Sequence, residues 1–287
     1  MTAADPQNSV TRYVPVRRDI RMAGQGRTED VVEKEMNTRQ RWIRLAPEYL
    51  EAILRKEEGD YLRNKLLTPH LMRILGPLDG LRVLDVGCGE GYLARRMARK
   101  GARVWAFDWM DILVSHAREE EQRTRLGIEY AVADASRRFP CPSAMHLVVA
   151  NMVLKDMPRI QTTVSEAHRA LRKGGRFVLT VLHPCFCMSS SQWQARKSIR
   201  KKHPKVSFEL EAPYTTRKEF LKTVAGSRAQ IVHFHRPLST YVSLLIRNGF
   251  LVSGLWEPVL GPNTSCPAKY EYAAFLPPFL LMEGTKP

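Results

Sequence analysis

A chain of 287 residues is long enough for one large domain with additions, or two small ones, and can bury a substantial core. Its 45 Lys and Arg against 29 Asp and Glu give a formal net charge of +16, which argues for a nucleic-acid partner or an anionic substrate. Five cysteines, an odd count without metal-ligand spacing, indicate neither a disulfide framework nor a zinc site, so reduced thiols and no metal are expected.

Met1 to Val10 is polar with no apolar segment of signal-peptide type, and no run of 18 apolar residues follows. The expectation is a soluble, cytoplasmic protein without a membrane partner. Residues 1 to 27 lack periodicity and carry Pro6, Pro15 and scattered arginines, as a flexible arm or an ordered strap in a homo-oligomer would. From Thr28 apolar residues recur at helical spacing, with Pro47 marking a break, and a further helix covers Asp60 to Leu75 with a kink at Pro69. Residues 1–75 thus read as an arm and helical cap, and 76–287 as the main domain.

The main domain alternates strand and helix, the pattern of a parallel sheet covered on both faces. Strands are predicted at Arg82 to Val86, Arg103 to Phe107, Ile128 to Ala133, His146 to Asn151 and Arg176 to Leu182. Helices are predicted at Tyr92 to Lys100 and at Gln161 to Arg172, the latter stopped by Lys173-Gly174-Gly175. Residues 184 to 235 then hold three prolines, polar runs and the basic cluster Arg196 to Lys205, an irregular insertion with helical pieces that would cover the cleft. A helix from Ser239 to Asn248, ended by Gly249, and strands at Leu251 to Val259 and Phe279 to Glu283 complete the pattern.

The stretch Arg82-Val83-Leu84-Asp85-Val86-Gly87-Cys88-Gly89-Glu90-Gly91-Tyr92-Leu93 carries the chemistry. An apolar strand runs into alternate glycines and then a helix, a turn that brings backbone close to a ligand. Asp108 closes the next strand 23 residues after Asp85, near the offset at which a carboxylate holds ribose hydroxyls. A nucleoside ligand follows, and charge selects among nucleosides. Gly89, Gly91 and Ala94 also satisfy the loose dinucleotide pattern, so the glycines alone leave NAD open. Asp85 beside the turn would repel a pyrophosphate but suits the ammonium and sulfonium of S-adenosylmethionine (SAM). A tight turn that binds nothing is the remaining alternative.

This stretch resembles the glycine motif of the class I SAM-dependent methyltransferases. Gly59-Asp60-Tyr61-Leu62-Arg63, the segment from Val148 to Met157, the segment from Gly174 to Phe186, and His235 to Val242 followed by Asn248-Gly249-Phe250 are similar to the branch acting on small molecules, secondary metabolites among them. The resemblance implies a Rossmann-like α/β fold with a seven-stranded sheet of order 3-2-1-4-5-7-6, last strand antiparallel, and SAM as cofactor with S-adenosyl-L-homocysteine as product. It implies that Asp85, Gly87, Cys88, Gly89 and Gly91 meet the methionine portion and Asp108 the ribose. Trp109 and Met110 would flank the adenine, Asp134 with Ala135 would meet its amino group, and Asn151 with Met152 would lie nearest the transferring methyl. A turn or N-cap role rivals adenine binding for Asp134, and core packing rivals cofactor contact for Met152. His146 departs from the pattern, standing where the branch has an acid, which puts local hydrogen bonding in question.

Methyl transfer needs an acceptor aligned with the S–CH3 bond, and alcohol or carbon acceptors also need a base, for which histidine is suited. His183, beside Pro184 at a strand end, is the leading candidate, with His235 and Tyr241 behind it; a structural hydrogen-bonding role rivals each histidine. The acceptor is expected to be a small molecule enclosed by cap and insertion. Three alternatives stay open: an RNA methyltransferase using the basic insertion, a SAM-responsive binding protein without turnover, and methylation coupled to cyclisation. The run Asn151-Met152-Val153-Leu154 lacks the proline-proline-aromatic pattern of enzymes that methylate nucleobase amines, which weakens the RNA reading.

Overall fold

In a computed structural model, residues 28–54, 61–186, 214–215, 218–223, 230–261 and 264–287 are described. The basic cluster 196–205 and the arm 1–27 lie outside them. The first helix, α1 (Thr28–Leu54), runs through Pro47 without the expected break. Pro47 removes only the bond to the Ile43 carbonyl, and Ile43 is exposed, so water can replace it. Buried Trp42 and Ala46 hold α1 on one small apolar cluster with Met110, Leu113 and Ile231.

The expected helix ending at Leu75 divides into a π turn (Arg63–Leu67) and α2 (Thr68–Leu75). Pro69 has no N–H for the Lys65 carbonyl, and the turn before it widens so that Thr68 N–H bonds back to the Arg63 carbonyl. Strand β1 (Arg82–Val86), α3 (Tyr92–Ala98), β2 (Arg103–Asp108), α4 (Asp111–Thr124) and β3 (Glu129–Val132) then alternate as expected, and β4 (Met145–Asn151) follows β3 without the expected helix between them. They are followed by α5 (Gln161–Ala170) and β5 (Leu171–Leu182). The predicted glycine stop of α5 lies inside the start of β5, where the pairing with β4 shifts register and Gly174 takes φ 70°.

Beyond β5 the described part of the insertion is a hairpin, β6 (Lys218–Thr223) with β7 (Gln230–His235), rather than helical pieces. Ile231-Val232-His233-Phe234-His235 carries bulky residues at every position, and that pattern favours strand. The chain closes with α6 (Leu238–Arg247), β8 (Leu251–Trp256) and β9 (Phe279–Thr285).

The seven-stranded sheet has the order β3-β2-β1-β4-β5-β9-β8, with β9 antiparallel to both neighbours. With the hairpin set aside as a separate sheet, this is the expected 3-2-1-4-5-7-6 order. Period-2 alternation sorts the central strands between two cores. Val83, Leu147, Val149 and Val178 face α2 and α3. Leu84, Val148, Ala150, Phe177 and Leu179 face α5 and α6. Both faces are covered, so ligands are left the crevice at the carboxyl ends of β1, β2 and β4. His146 settles its own question: its Nδ1 accepts from the Arg82 backbone N–H at 3.0 Å, a structural bond joining β4 to β1.

Candidate cofactor and acceptor site

A cavity of about 520 Å³ opens at those strand ends. Its first wall is the glycine turn. Gly87 and Cys88 N–H donate to the Phe107 carbonyl, at 2.8 and 3.0 Å, which pins the turn to β2. A Cβ on Gly87 would collide with Val153, whereas one on Gly89, at φ 58°, would meet nothing within 4 Å. The backbone at Gly89 thus faces open space that a ligand can fill.

Three acids converge beneath this turn. Asp85 is 1% exposed and its Oδ2 has no hydrogen-bond partner. Burial, reinforced by Asp108 and Glu90, pushes its pKa up to about 8. Asp108 accepts from Gly89 N–H at Oδ2 and from Met110 N–H at Oδ1, both at 3.0 Å, so it organises the loop it was expected to serve. Its pKa is also raised, because desolvation outweighs these backbone bonds. Glu90 is buried against Arg95, 3.0 Å away. A buried carboxyl with one oxygen unsatisfied, flanked by two more acids, would ionise readily beside a cation.

The end of the cavity beside Trp109 and Asp134 is closed by α1. Arg39 Nη2 lies 3.1 Å from Asp134 Oδ2, and the Arg39 guanidinium sits over the Trp109 ring. Asp134 Oδ1 accepts from both the backbone N–H and the hydroxyl of Ser136, so the turn role weighed for it is present. Met110 is buried beside Trp42, and Ala135 accepts a bond from Thr163.

At the end of β4, Thr180 Oγ1 donates to Asn151 Oδ1 and Asn151 Nδ2 donates to the Tyr92 hydroxyl, both at 2.7 Å. Met152 N–H is held by Thr180 while Met152 itself adopts φ 61°. Of the residues expected to bind cofactor, Asp85, Gly87, Cys88, Gly89, Asp108, Trp109, Met110, Asp134, Ala135, Asn151 and Met152 line this one cavity. Gly91 does not; it is the left-handed N-cap of α3, packed against Tyr130.

The residues expected to do chemistry are placed elsewhere. His183, His235 and Tyr241 do not line the cavity; they surround an adjoining small void of about 20 Å³ that shares Lys155, Leu182 and His233 with the cavity wall. Both nitrogens of His183 are engaged: Nδ1 accepts from Cys185 N–H at 3.1 Å, so Nε2 is the donor to Glu257 at 2.6 Å. Burial lowers its pKa. His235 bonds the Tyr214 carbonyl at 2.8 Å, and Tyr241 is buried against the α5 and α6 core.

The histidine that reaches the cavity is His233, two residues before the one singled out. Its Nδ1 lies 2.5 Å from Asp156 Oδ1, and Lys155 Nζ lies 2.6 Å from Asp156 Oδ2. Desolvation raises the Asp156 pKa, but Lys155 and His233 together outweigh it and hold the carboxyl below its usual range. His233, Asp156, Arg39 and Tyr92 had no assigned role in the sequence. The strand alternation around His233 was the available signal, masked by the prolines and polar runs before it.

This arrangement, a glycine turn over acids at the switch point of a seven-stranded sheet, defines the class I methyltransferase fold. Residues 84–179 match the family model described as Methyltransferase domain. The Ubiquinone biosynthesis O-methyltransferase of Xylella fastidiosa (strain 9a5c) is 35% identical over 109 residues, 37% of this chain and 44% of that one. The match thus spans less than half the length of that relative. Among solved structures, an S-adenosylmethionine-dependent methyltransferase from Mesorhizobium loti superposes with TM-score 0.58 at 24% identity, covering 76% of this chain and 96% of that one. Magnesium protoporphyrin IX methyltransferase from Synechocystis PCC 6803 with bound SAH gives TM-score 0.54 at 16% identity, covering 88% and 99%.

Proposed function

We propose that this chain is a SAM-dependent methyltransferase acting on a small-molecule acceptor. The observation that carries the reading is the continuity of one cavity from the acid-lined glycine turn to a wall of aromatic and aliphatic side chains. The residues present fit SAM: a buried acid, Asp85, with Oδ2 unsatisfied for its cationic end, an open backbone at Gly89, and Trp109 beside Met110 for a flat base.

Bound there, SAM supplies an electrophilic methyl on a sulfonium. The protein's part is alignment and exclusion of water. Asp85 and the glycine turn hold the charged end, Asp108 offers its remaining lone pairs to ribose hydroxyls, and α1 roofs the cavity through Trp42 and Tyr49. A secondary-metabolite acceptor, a cytoplasmic location and self-association through residues 1–27 belong to the same proposal. Among the described residues, no helix is long and apolar enough to cross a membrane, and no cluster suited to a metal ion is present.

The roofed aromatic wall favours a small acceptor over RNA, whose proposed basic contact lies outside the described residues. Transfer of methyl label from SAM into cell extract, separated into small-molecule, nucleic-acid and protein fractions, tests the choice. Label is expected in the small-molecule fraction; nuclease-sensitive label in polymer would overturn it.

A further inference from the structure

Resting on the reading above, we propose that Arg236 is the positioning residue of the acceptor wall: its guanidinium holds the backbone that follows β4, and through it sets how tightly the acceptor binds. The need for it comes from the segment itself. After β4 the chain makes the 3-10 turn Leu154–Asp156, and residues 157–160 then run in no helix or strand before α5 begins at Gln161. Such a short irregular run has no ladder to take its carbonyls, and each one buried without a donor costs free energy.

Arg236 brings the donors. Its Nη1 donates to the Leu154 carbonyl and its Nη2 to the Pro158 carbonyl, both at 3.0 Å, and Nη2 also donates to the Met157 carbonyl. A planar guanidinium with fixed N–H directions reaches several carbonyls at once, which an ammonium on a flexible stem does not reproduce. Arg236 is itself fixed in place. It is buried, follows the last residue of β7 and precedes Pro237, the N-cap of α6. Its guanidinium sits over the Phe234 ring, 5.6 Å from the centroid, and beside the Tyr241 hydroxyl.

The segment it holds is cavity wall. Lys155, Asp156, Met157, Pro158 and Arg159 line the main cavity and follow directly on Asn151 and Met152, the residues expected nearest the transferring methyl. Arg236 lines only the adjoining small void, so it acts on a ligand through that segment. The glycine turn has anchors of its own in the Phe107 carbonyl and Asp108, and Met152 N–H is held by Thr180. Loosening residues 154–158 should therefore reach the acceptor and leave the SAM side in place.

Two measurements test this, one without turnover, on Arg236→Lys, which keeps the charge but not the fork, and Arg236→Gln, which needs no buried charge. In the apo variants, amide exchange at residues 155–159 should rise about 10-fold or more, while residues 87–91 stay within about 3-fold of wild type. An equal change in both segments, or none at 155–159, would overturn the inference. In turnover, labelled SAM is given with serial dilutions of the small-molecule fraction of cell extract. The variants should need about 10-fold more of that fraction for half-maximal rate, with SAM affinity from calorimetry changed by less than about 3-fold. Loss of folded protein alone would scale the rate down at every dilution and leave the half-saturating dilution unchanged. That result overturns the inference, as does an equal loss of SAM affinity, and either leaves the methyltransferase reading intact. A wild type that binds no SAM, or binds it and labels nothing in that fraction, overturns the reading and the inference with it.

Discussion

Arg39 of α1 and Asp134, just beyond β3, lie 3.1 Å apart across the mouth of the cavity, and the same guanidinium covers Trp109. This pair ties the N-terminal helix to the end of the cavity that Trp109 and Asp134 line. The Arg39 side chain is 47% exposed, so its charge pairing contributes little to global stability. Its effect is local, because few other contacts join this part of α1 to the sheet.

Arg39→Ala is therefore expected to leave the melting temperature nearly unchanged while raising amide exchange in the residues of α1 around Trp42. Hydrogen exchange with and without SAM checks this. Unaltered protection of α1 in the variant would show that the Trp42 cluster alone holds the helix down.

Asp85 makes cofactor binding depend on pH. Its pKa is raised from 3.8 to about 8, so the apo protein carries this proton at neutral pH. A cationic ligand favours the ionised form, so SAM should bind more tightly as pH rises towards about 8 and then level off, releasing a proton below that value. Calorimetry in buffers of different ionisation enthalpy reads the proton directly. The sign for apo stability is opposite: between about pH 4 and 8 the folded state binds more protons than the unfolded one, so this group makes stability fall as pH rises. Asp85→Asn should abolish both dependences and weaken SAM binding; retained proton release would place the linkage on another group.

Asp108 orders Gly89 and Met110 in the structure, and the proposed function gives it a second duty, offering oxygens to the ribose. Asp108→Ala is expected to weaken SAM binding by on the order of 2 kcal/mol through lost charge-assisted bonds. Asp108→Asn can still accept one backbone N–H but turns its amide towards the other, so it should lie between wild type and alanine. Titration calorimetry showing unchanged affinity in both variants would remove Asp108 from the cofactor site.

The cofactor half of the site was legible in the sequence because its physics is local. A strand, alternate glycines and an acid at a fixed offset determine where Asp85, Gly89 and Asp108 meet, whatever surrounds them. The sheet order required the resemblance, since strand alternation alone does not say that β9 inserts between β5 and β8. The opposite wall of the cavity depends on a long-range docking of β7 against the turn after β4, which brings His233 to Asp156 across 77 positions of sequence. No local pattern encodes that contact. His183 looked suitable because it ends a central strand, but Glu257 and the Cys185 N–H engage both its nitrogens.

His183 consequently yields a prediction for folding rather than for chemistry. Its ring is buried, with its pKa lowered by desolvation despite Glu257, so it is neutral and serves as a bridge between the end of β5 and the segment after β8. His183→Ala removes a buried partner from the Cys185 N–H and a donor from Glu257, at a cost of about 1–3 kcal/mol for groups left unpaired. Thermal melts should show the loss as a lowered melting temperature, with His183→Asn recovering part of it because an amide can keep one of the two bonds. SAM affinity and turnover per folded molecule should stay near wild type. A variant that melts normally yet turns over slowly would return His183 to the chemistry and would mean that the wall between its small void and the main cavity opens during the reaction.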